Sequence, residues 1–279
     1  MANLTSEQKR KGIVGVSTGN HGRALAHAAK AAGLRCVICM SRLVPDNKVE
    51  AVRALGAEVR IVGDSQDDAQ AEVERLVAEE GLAMLPPFDH PHVIAGQGTL
   101  GIEIVEDLPA VETVIVPLSG GGLIGGIALA VKTVRPAARV VGVSMERGAA
   151  MHESLKAGHA VAVRELPTLA DSLGGGIGLD NRYTFTLVRD LVDEVVLVDE
   201  AQIADGVRHA YFAERQIVEG AAAVGISALK SGLSGDTGVT TVVLSGGNID
   251  MGLHARIVAG ENPDLLAEYQ AQQRSARHA

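Results

Sequence analysis

The sequence predicts an α/β protein whose parallel sheets are flanked by helices and divided between two lobes. Short apolar runs alternate with alanine-rich or amphipathic segments along almost the whole chain, a rhythm typical of strand–helix–strand units with right-handed crossovers. Most of these runs are continuously apolar, which favours strands covered on both faces. A stretch rich in proline and histidine, PPFDHPH at 86–92, separates two groups of such units.

The predicted elements follow in chain order. Strands are expected at 12–17, 36–41, 58–63 and 82–85 before the proline-rich stretch, and at 113–118, 139–144, 194–199 and 241–245 after it. Helices are expected between them, for example over 67–80 and over 23–33, where Gly33 is the expected C-cap. We interpret 86–92 as a linker. The result is a small α/β domain over 12–88 and a large α/β domain formed by 1–11 plus 89–279.

Composition excludes several classes of function. The chain of 279 residues has a net charge of -9 and no basic stripe, so nucleic acid is not an expected partner. Its longest apolar runs are interrupted by glycines and are too short to cross a bilayer. No charged segment followed by an apolar one opens the chain, so we expect no membrane association and a cytoplasmic location. Because only 2% of the residues are aromatic, a flat cofactor would be held mainly by backbone and by aliphatic or polar side chains.

Cys36 and Cys39 have the spacing of a redox C-x-x-C motif. They lie in a predicted buried strand, however, where residues three apart point to opposite faces. We therefore expect two buried, unpaired thiols. A zinc site would need more ligands than this pair offers, and His90 and His92 have no cluster of partners either, so we expect a hinge-like loop there and no metal.

The strongest local signal is the run VPLSGGGLIGG at 116–126, in which a buried strand leads through consecutive glycines into a helix. Backbone N–H groups converge at such a turn and the helix N-terminus adds positive potential, so the pattern predicts a phosphate site. A dinucleotide site stays open as an alternative. Gly120, Gly122 and Gly125 have the G-x-G-x-x-G spacing, and Glu146 follows the next strand roughly 20 residues on, as a ribose-binding acid does.

Two further polar turns follow predicted strands. The first, STGNHG at 17–22, precedes an alanine-rich helix, and although its polar residues are good N-caps, a cap does not need all of them. The second, LSGGNID at 244–250, again joins a strand to a predicted helix. Ligands of doubly wound sheets bind outside the carboxyl ends of strands, so the three turns predict one site that contacts a phosphate, a ring and a carboxylate.

At these motifs the chain resembles the fold-type II pyridoxal-phosphate (PLP) enzymes, in particular their threonine dehydratase and serine racemase branch. STGNHG, AGQGT (95–99), SGGGLIGG, ADSLGGGIG (170–178), VEGAAAVG (218–225) and LSGGN occur in the family's order and at its spacing. Each motif is weak alone, but together they are specific. The sequence of residues 36–49 and 166–185 is most similar to that of a dehydratase of hydroxyectoine utilisation. The resemblance implies a two-lobed, tryptophan-synthase-β-like fold, PLP as cofactor, an amino-acid substrate and a homodimer.

The resemblance also implies which residues hold the cofactor. Its phosphate would be bound by the backbone of the glycine turn, at Gly120, Gly121, Gly122 and Leu123. Asn20 would hydrogen-bond the phenolic oxygen of the ring, and Ser245 would meet the pyridine nitrogen. Because a serine is not an acid, that nitrogen should stay largely unprotonated, which favours β-elimination over transamination.

The substrate is implied in the same way. Its carboxylate would be bound at the first polar turn, by Ser17, Thr18, Gly19 and His21. Thr18 also stands where racemases of this family carry a serine that donates a proton, so it is a candidate catalytic residue. The implied reaction is dehydration and deamination of a β-hydroxy amino acid, such as threonine, serine or an amino acid derived from hydroxyectoine, to a 2-keto acid and ammonia.

Two departures from the family pattern stand out. The Schiff-base lysine of the family lies in a Ser-x-Lys-x-Arg-like segment upstream of residue 4, so we expect a truncated chain in which no lysine matches it; Lys9 and Lys11 are interpreted as solvated. Relatives that bind a divalent cation use two acids whose positions are taken here by Ser144 and Ala150, so we expect no such metal. Two alternatives therefore remain, a catalytically inactive protein with a PLP pocket and a nicotinamide-dependent oxidoreductase.

Overall fold

The protein forms two compact units, Met1–Pro87 and Phe88–Ala279, each built on one four-stranded sheet. The computed structural model describes residues 1–17, 19–42, 44, 46–63 and 66–277. Every strand pair in both sheets is parallel, with helices packed on the sheets. The predicted α/β class with parallel sheets flanked by helices is therefore confirmed.

The first unit has the strand order β3-β2-β1-β4. Its strands are β1 (Ile13–Val16), β2 (Cys36–Met40), β3 (Glu58–Ile61) and β4 (Ala83–Met84). Its helices are α1 (Ser6–Lys11), α2 (Asn20–Ala32), α3 (Asp46–Ala54) and α4 (Gln66–Glu80). The central strands β1 and β2 are buried along their whole length, whereas β3 is partly exposed because it lies at an edge of the sheet.

Two local predictions for the first unit are confirmed. Helix α2 ends at Gly33, which adopts the left-handed conformation with φ 65° and donates its N–H to the carbonyl oxygens of Ala29 and Lys30. Cys36 and Cys39 are free and buried, and they belong to different apolar clusters on the two faces of the sheet. The C-x-x-C spacing is therefore that of a buried strand.

Residues 1–11 belong to the first unit and not to the large domain, in which the sequence pattern had predicted them. Met1 and Leu4 pack against the apolar cluster that contains Ile13. Because α1 leads directly into β1, these side chains reach the nearest core by a short path. The boundary between the units, after Pro87, lies one residue before the predicted one.

The second unit has the strand order β7-β6-β5-β8. Its strands are β5 (Thr113–Pro117), β6 (Arg139–Met145), β7 (Glu194–Val198) and β8 (Thr240–Val242). Its helices are α5 (Pro91–Asp107), α6 (Gly122–Val134), α7 (Ala150–Ala157), α8 (Thr184–Leu191), α9 (Glu200–Phe212), α10 (Gly220–Lys230), α11 (Met251–Val258) and α12 (Leu265–Arg277), with a 3₁₀ turn at Asp171–Leu173. Across the described ranges of both units, no helix has the length and apolar character needed to cross a membrane.

The stretch predicted to be a linker lies between β4 and α5 and contains the boundary between the units, and its last residues begin α5. His90 is the N-cap, and its Nδ1 accepts a hydrogen bond of 3.1 Å from the backbone N–H of His92. Pro91 occupies the first helical position, where its fixed φ suits a helix and its missing N–H costs nothing. His90 and His92 therefore lie at the start of a helix, where a capping histidine followed by a proline explains the composition of this part of the stretch.

The AGQGT motif lies inside α5 and lets this helix approach α6 closely. A Cβ added at Gly98 would lie 3.2 Å from the carbonyl oxygen of Gly126, and one at Gly101 would lie 2.7 Å from that of Ile127. Contacts this short leave no room for side chains at the helix crossing. The motif therefore positions α6, whose N-terminus follows the glycine turn.

Candidate active site

The glycine turn at residues 119–122 joins the buried strand β5 to the N-terminus of α6. Gly121 is the N-cap of that helix, with φ 86° and ψ -5°, a left-handed conformation that glycine adopts without strain. As a glycine, it offers no side chain to the first N–H groups of α6. These groups and the helix dipole can therefore bind an anion such as a phosphate.

The glycine turn is enclosed by packed side chains. A Cβ added at Gly120 would meet the ring of Phe88, and one at Gly122 would lie 2.9 Å from the Cα of Phe88. On another side, a Cβ at Gly121 would lie within 3.1 Å of side-chain atoms of Met151, Thr184 and Val188. The backbone of the turn therefore occupies space that no larger residue can share, as expected of a preformed anion cradle.

The third predicted turn, at residues 245–248, lies at the same edge of the same sheet. Strand β8 pairs in parallel with β5, and beyond the paired residues the N–H of Val243 donates to the carbonyl oxygen of Ile115 at 2.9 Å. The turns that follow the two strands therefore lie at the same edge of the sheet in the second unit, where the strands have their carboxyl ends. The structure brings Ser245 and the glycine turn to neighbouring strand ends, with Ser245 exposed.

Glu219 is a buried acid beside the turn at 245–248 that no sequence motif singled out. This acid is only 2% exposed, and it is the N-cap of α10. Its backbone N–H donates to the carbonyl oxygen of Gly246 at 3.1 Å, and its carboxylate accepts from the hydroxyl of Ser172 at 3.3 Å. Three of the motifs, at 170–178, 218–225 and 244–248, therefore meet at this one residue. The available signal was a single acid next to a run of small apolar residues, where it has to be buried.

In the first unit, Ser17 organises the turn after β1. Its hydroxyl oxygen accepts hydrogen bonds from the backbone N–H of Gly22 at 2.8 Å and of Gly19 at 3.1 Å. The serine thus caps the start of α2, and the Gly19 amide is already used in a local bond. Asn20 is the first residue of the helix. Thr18, the candidate catalytic residue, lies outside the described residues.

A hydrogen bond to the carbonyl group of Leu85 orients the His21 ring. Its Nε2 lies 3.0 Å from the carbonyl oxygen of Leu85, and because a carbonyl only accepts, this nitrogen carries the proton. Burial lowers the pKa of His21 below its ordinary value, and the bond to Leu85 offsets part of that effect. The imidazole is therefore neutral at pH 7. Its Nδ1 is then an acceptor, so the ring cannot act as a cation towards a carboxylate.

The lysines described in the second unit are Lys132, Lys156 and Lys230. Each is in the last turn of its helix and close to a carboxylate: Lys132 to Asp193 at 2.7 Å, Lys156 to Glu153 at 3.6 Å and Lys230 to Asp205 at 2.6 Å. Lys132 is ten residues beyond the start of α6, which corresponds to about 15 Å along the helix. In the first unit, Lys9 and Lys11 are exposed on α1. The expectation that no lysine of the chain is the Schiff-base residue stays a prediction.

The positions at which relatives carry cation-binding acids are both buried. Ser144 is 3% exposed near the end of β6, and Ala150 begins α7. Over the described ranges, no three histidine, cysteine, aspartate or glutamate side chains lie close enough together to hold a metal ion. Glu146, the acid of the dinucleotide alternative, is exposed just after β6.

Comparison with known proteins identifies the family. The profile described as "Pyridoxal-phosphate dependent enzyme" matches residues 1–246. A protein of Sinorhizobium fredii named "Putative threonine dehydratase" is 63% identical over 258 residues, which cover 92% of this chain and 78% of that protein. The L-threonine ammonia-lyase of Thermotoga maritima is 41% identical over 92% of this chain, which spans 64% of the length of that relative.

Solved structures agree with this assignment. Maize serine racemase superimposes with a TM-score of 0.84 at 32% identity, covering 99% of this chain and 81% of that one. The processed form of threonine deaminase isoform 2 from Solanum lycopersicum gives a TM-score of 0.84 at 34% identity, covering 93% and 77%. The chain therefore belongs to the family of pyridoxal-phosphate dependent enzymes, its cofactor is PLP, and a nicotinamide-dependent oxidoreductase is no longer a competing interpretation.

Proposed function

We propose that this protein is a PLP-dependent ammonia-lyase that deaminates L-threonine. The main support for this proposal is the glycine turn, whose uncapped N–H groups fit the phosphate of the family's cofactor. The names of the relatives, which include threonine dehydratases and an L-threonine ammonia-lyase, support the substrate. The homodimer implied by the resemblance is part of the proposal and can be measured by analytical ultracentrifugation.

The cofactor would be held mainly by backbone groups. The amides of Gly120, Gly121, Gly122 and Leu123 would bind the phosphate, because they lie at the start of α6 where no side chain competes for them. Asn20 would donate its side-chain amide to the phenolic oxygen of the ring. The hydroxyl of Ser245 would donate a hydrogen bond to the ring nitrogen. The nitrogen would stay unprotonated, since a neutral hydroxyl has no negative charge to stabilise its protonated form.

When bound, PLP withdraws electrons from the α-carbon of an amino acid, which makes its proton removable and a β-hydroxyl a leaving group. The residues of the first unit would position the substrate. Ser17 can still donate its hydroxyl proton to the carboxylate while it accepts from the α2 backbone. Thr18 and Gly19 would add further contacts to the same carboxylate. Neutral His21 would orient this turn through Leu85 and accept a hydrogen bond at Nδ1. Water would replace the lost amino group and complete the 2-keto acid.

The test is a substrate panel with the purified chain and added PLP. PLP binding is followed by absorbance, and 2-keto acid and ammonia are quantified with threonine, serine, 3-hydroxyaspartate and a β-hydroxy amino acid derived from hydroxyectoine. Keto acid formed fastest from threonine supports the proposal. Bound PLP without keto acid from any of the four contradicts it.

The hydroxyectoine-derived substrate is a finer form of the proposal, supported by the resemblance of 36–49 and 166–185 to a dehydratase of that pathway. It predicts that this fourth substrate exceeds threonine in kcat/KM. The reverse order assigns the protein to threonine.

A catalytically inactive PLP protein is the second candidate, favoured by the position of the described lysines at helix ends. Reduction with borohydride in the presence of PLP, followed by peptide mass spectrometry, separates the two candidates. A single stoichiometrically labelled lysine supports the enzyme. PLP that is bound but recovered entirely unattached after reduction supports the inactive protein.

A further inference from the structure

The residue pair just before α5 contacts the glycine turn from outside. Phe88 places its ring over Gly120 and its backbone against Gly122, so closely that a Cβ at either position would overlap with it. Phe88 is therefore part of the wall that fixes where the turn runs. Phe88 can restrict the position of the turn only if its own position is fixed.

Asp89, the next residue, supplies that fixation. Its Oδ1 accepts hydrogen bonds from the backbone N–H groups of Tyr183 and Thr184, both at 2.9 Å, and its Oδ2 accepts from that of Arg182 at 2.7 Å. Tyr183 is the N-cap of α8 but makes no side-chain capping bond of its own. Asp89 thus caps α8 from more than ninety residues away in the sequence, and its negative charge faces the positive end of that helix.

The segment that receives Asp89 also supports the glycine turn. Thr184 is fully buried, and its Cβ lies 3.0 Å from where a Cβ of Gly121 would be. Asn181 fixes the same segment, since its side-chain amide donates to Thr184 Oγ1 and to the carbonyl oxygen of Ile177, both at 2.8 Å. The turn therefore lies between Phe88 and Thr184, and Asp89 ties these two supports together.

We infer that Asp89 is a positioning residue that keeps the phosphate-binding turn in shape by joining Phe88 to the start of α8. The inference rests on the proposed use of that turn for PLP. The hydrogen bonds that its carboxylate accepts come from residues 182–184 and not from the glycine turn, so Asp89 acts through its neighbours. Losing the carboxylate should therefore loosen the turn and weaken the cofactor, while the sheet and its helices stay folded.

The test compares Asp89→Asn with Asp107→Asn. Asp107 is exposed at the last position of α5, so the control removes the same charge near the other end of the same helix. The asparagine side chain in Asp89→Asn would keep one acceptor oxygen but point an NH₂ group at a backbone N–H, so at least one charge-assisted bond is lost. We expect the Kd for PLP to rise about tenfold for Asp89→Asn, as for the loss of one such bond, and to be unchanged for Asp107→Asn. A second variant, Phe88→Leu, should weaken PLP in the same direction.

Hydrogen exchange read by mass spectrometry gives a second measurement that needs no cofactor. Asp89→Asn should speed exchange in peptides covering 181–187 and also in those covering 119–126, with the remaining peptides unchanged. Faster exchange at 181–187 alone, with an unchanged Kd for PLP, would mean that Asp89 merely caps α8 and would overturn the inference. If the unsubstituted chain fails to bind PLP, the proposed function is wrong, and exchange at 119–126 still decides the role of Asp89.

Discussion

Replacing Gly121 by alanine should damage the proposed phosphate-binding turn through two effects, backbone strain and overlap with packed side chains. Gly121 has φ 86°, in the left-handed region, where an alanine is strained by about 1–2 kcal/mol. The new methyl would also lie 2.9 Å from Met151 Cε, 3.0 Å from Thr184 Cβ and 3.1 Å from Val188 Cγ2. Overlap of this kind in a packed site costs about 1–3 kcal/mol more.

The two effects sum to about 2–5 kcal/mol, and the backbone-strain part can be relieved only if the turn changes shape. Since 1.4 kcal/mol corresponds to a factor of ten, we expect the Kd for PLP to rise by a factor of about 30 or more. The matched control is Gly158→Ala. Gly158 has φ 79° at the end of α7, but a Cβ there meets open space. It carries the same backbone strain without the overlap and away from the turn.

The assay is a titration with PLP of each variant under conditions where it is folded, combined with urea unfolding. Gly158→Ala should lose about 1–2 kcal/mol of unfolding free energy and keep its affinity for PLP. Gly121→Ala should lose both stability and affinity. A Gly121→Ala protein that binds PLP within threefold of the unsubstituted chain would refute the claim that this turn holds the phosphate in its left-handed conformation.

Three further outcomes follow from packing and burial. Gly126→Ala should lower the unfolding free energy by about 1–3 kcal/mol, because its methyl group would overlap with the backbone of α5. Gly96→Ala, on α5 with open space around it, should raise the unfolding free energy by up to about 1 kcal/mol. Changes of the same sign for both variants in urea denaturation would contradict the close helix crossing. Burial raises the pKa of Cys36 and of Cys39 to about 11, so a thiol reagent at pH 8 should label neither until the protein is unfolded, and rapid labelling of the native chain would disprove their burial. Burial lowers the pKa of His254, whose Nε2 has no hydrogen-bond partner among the described residues, so the unfolded state binds a proton first as the pH falls through about 6.5 and the folded state loses stability. His254→Leu should flatten the pH dependence of the unfolding free energy measured by urea titration between pH 7.5 and 5.5. An unchanged slope of unfolding free energy against pH would contradict this role of His254.

The sequence predicted most of the sheet architecture because its signals are local. Continuous apolar runs placed every strand to within a few residues, and the run ending at Gly33 located a helix C-cap. The two outer strands of lowest burial, β3 and β8, were predicted too long, at 58–63 and 241–245. An edge strand has a hydrogen-bonded neighbour on one side only, so its paired part is shorter than the apolar run in its sequence.

The contacts that shape the turns of the second unit have no local signal. Asp89 reaches backbone groups of Arg182, Tyr183 and Thr184, and the backbone of Glu219 reaches that of Gly246. Nothing in the neighbouring residues of either acid specifies such distant partners. Residues 1–11 were misassigned for a related reason, since the choice between two apolar cores depends on chain path and not on composition.

The three consecutive glycines show how one motif can combine two physical demands. Only Gly121 has a positive φ, so only this position needs the conformational freedom of glycine. Gly120 and Gly122 have ordinary backbone angles, and they exclude side chains because Phe88 lies against them. At Gly120 the obstacle is the aromatic ring, which a smaller side chain would remove, whereas at Gly122 it includes the backbone of Phe88, which no substitution removes. The motif that indicated a phosphate site is therefore also a packing motif, in which the position of Phe88 explains why both outer residues are glycines.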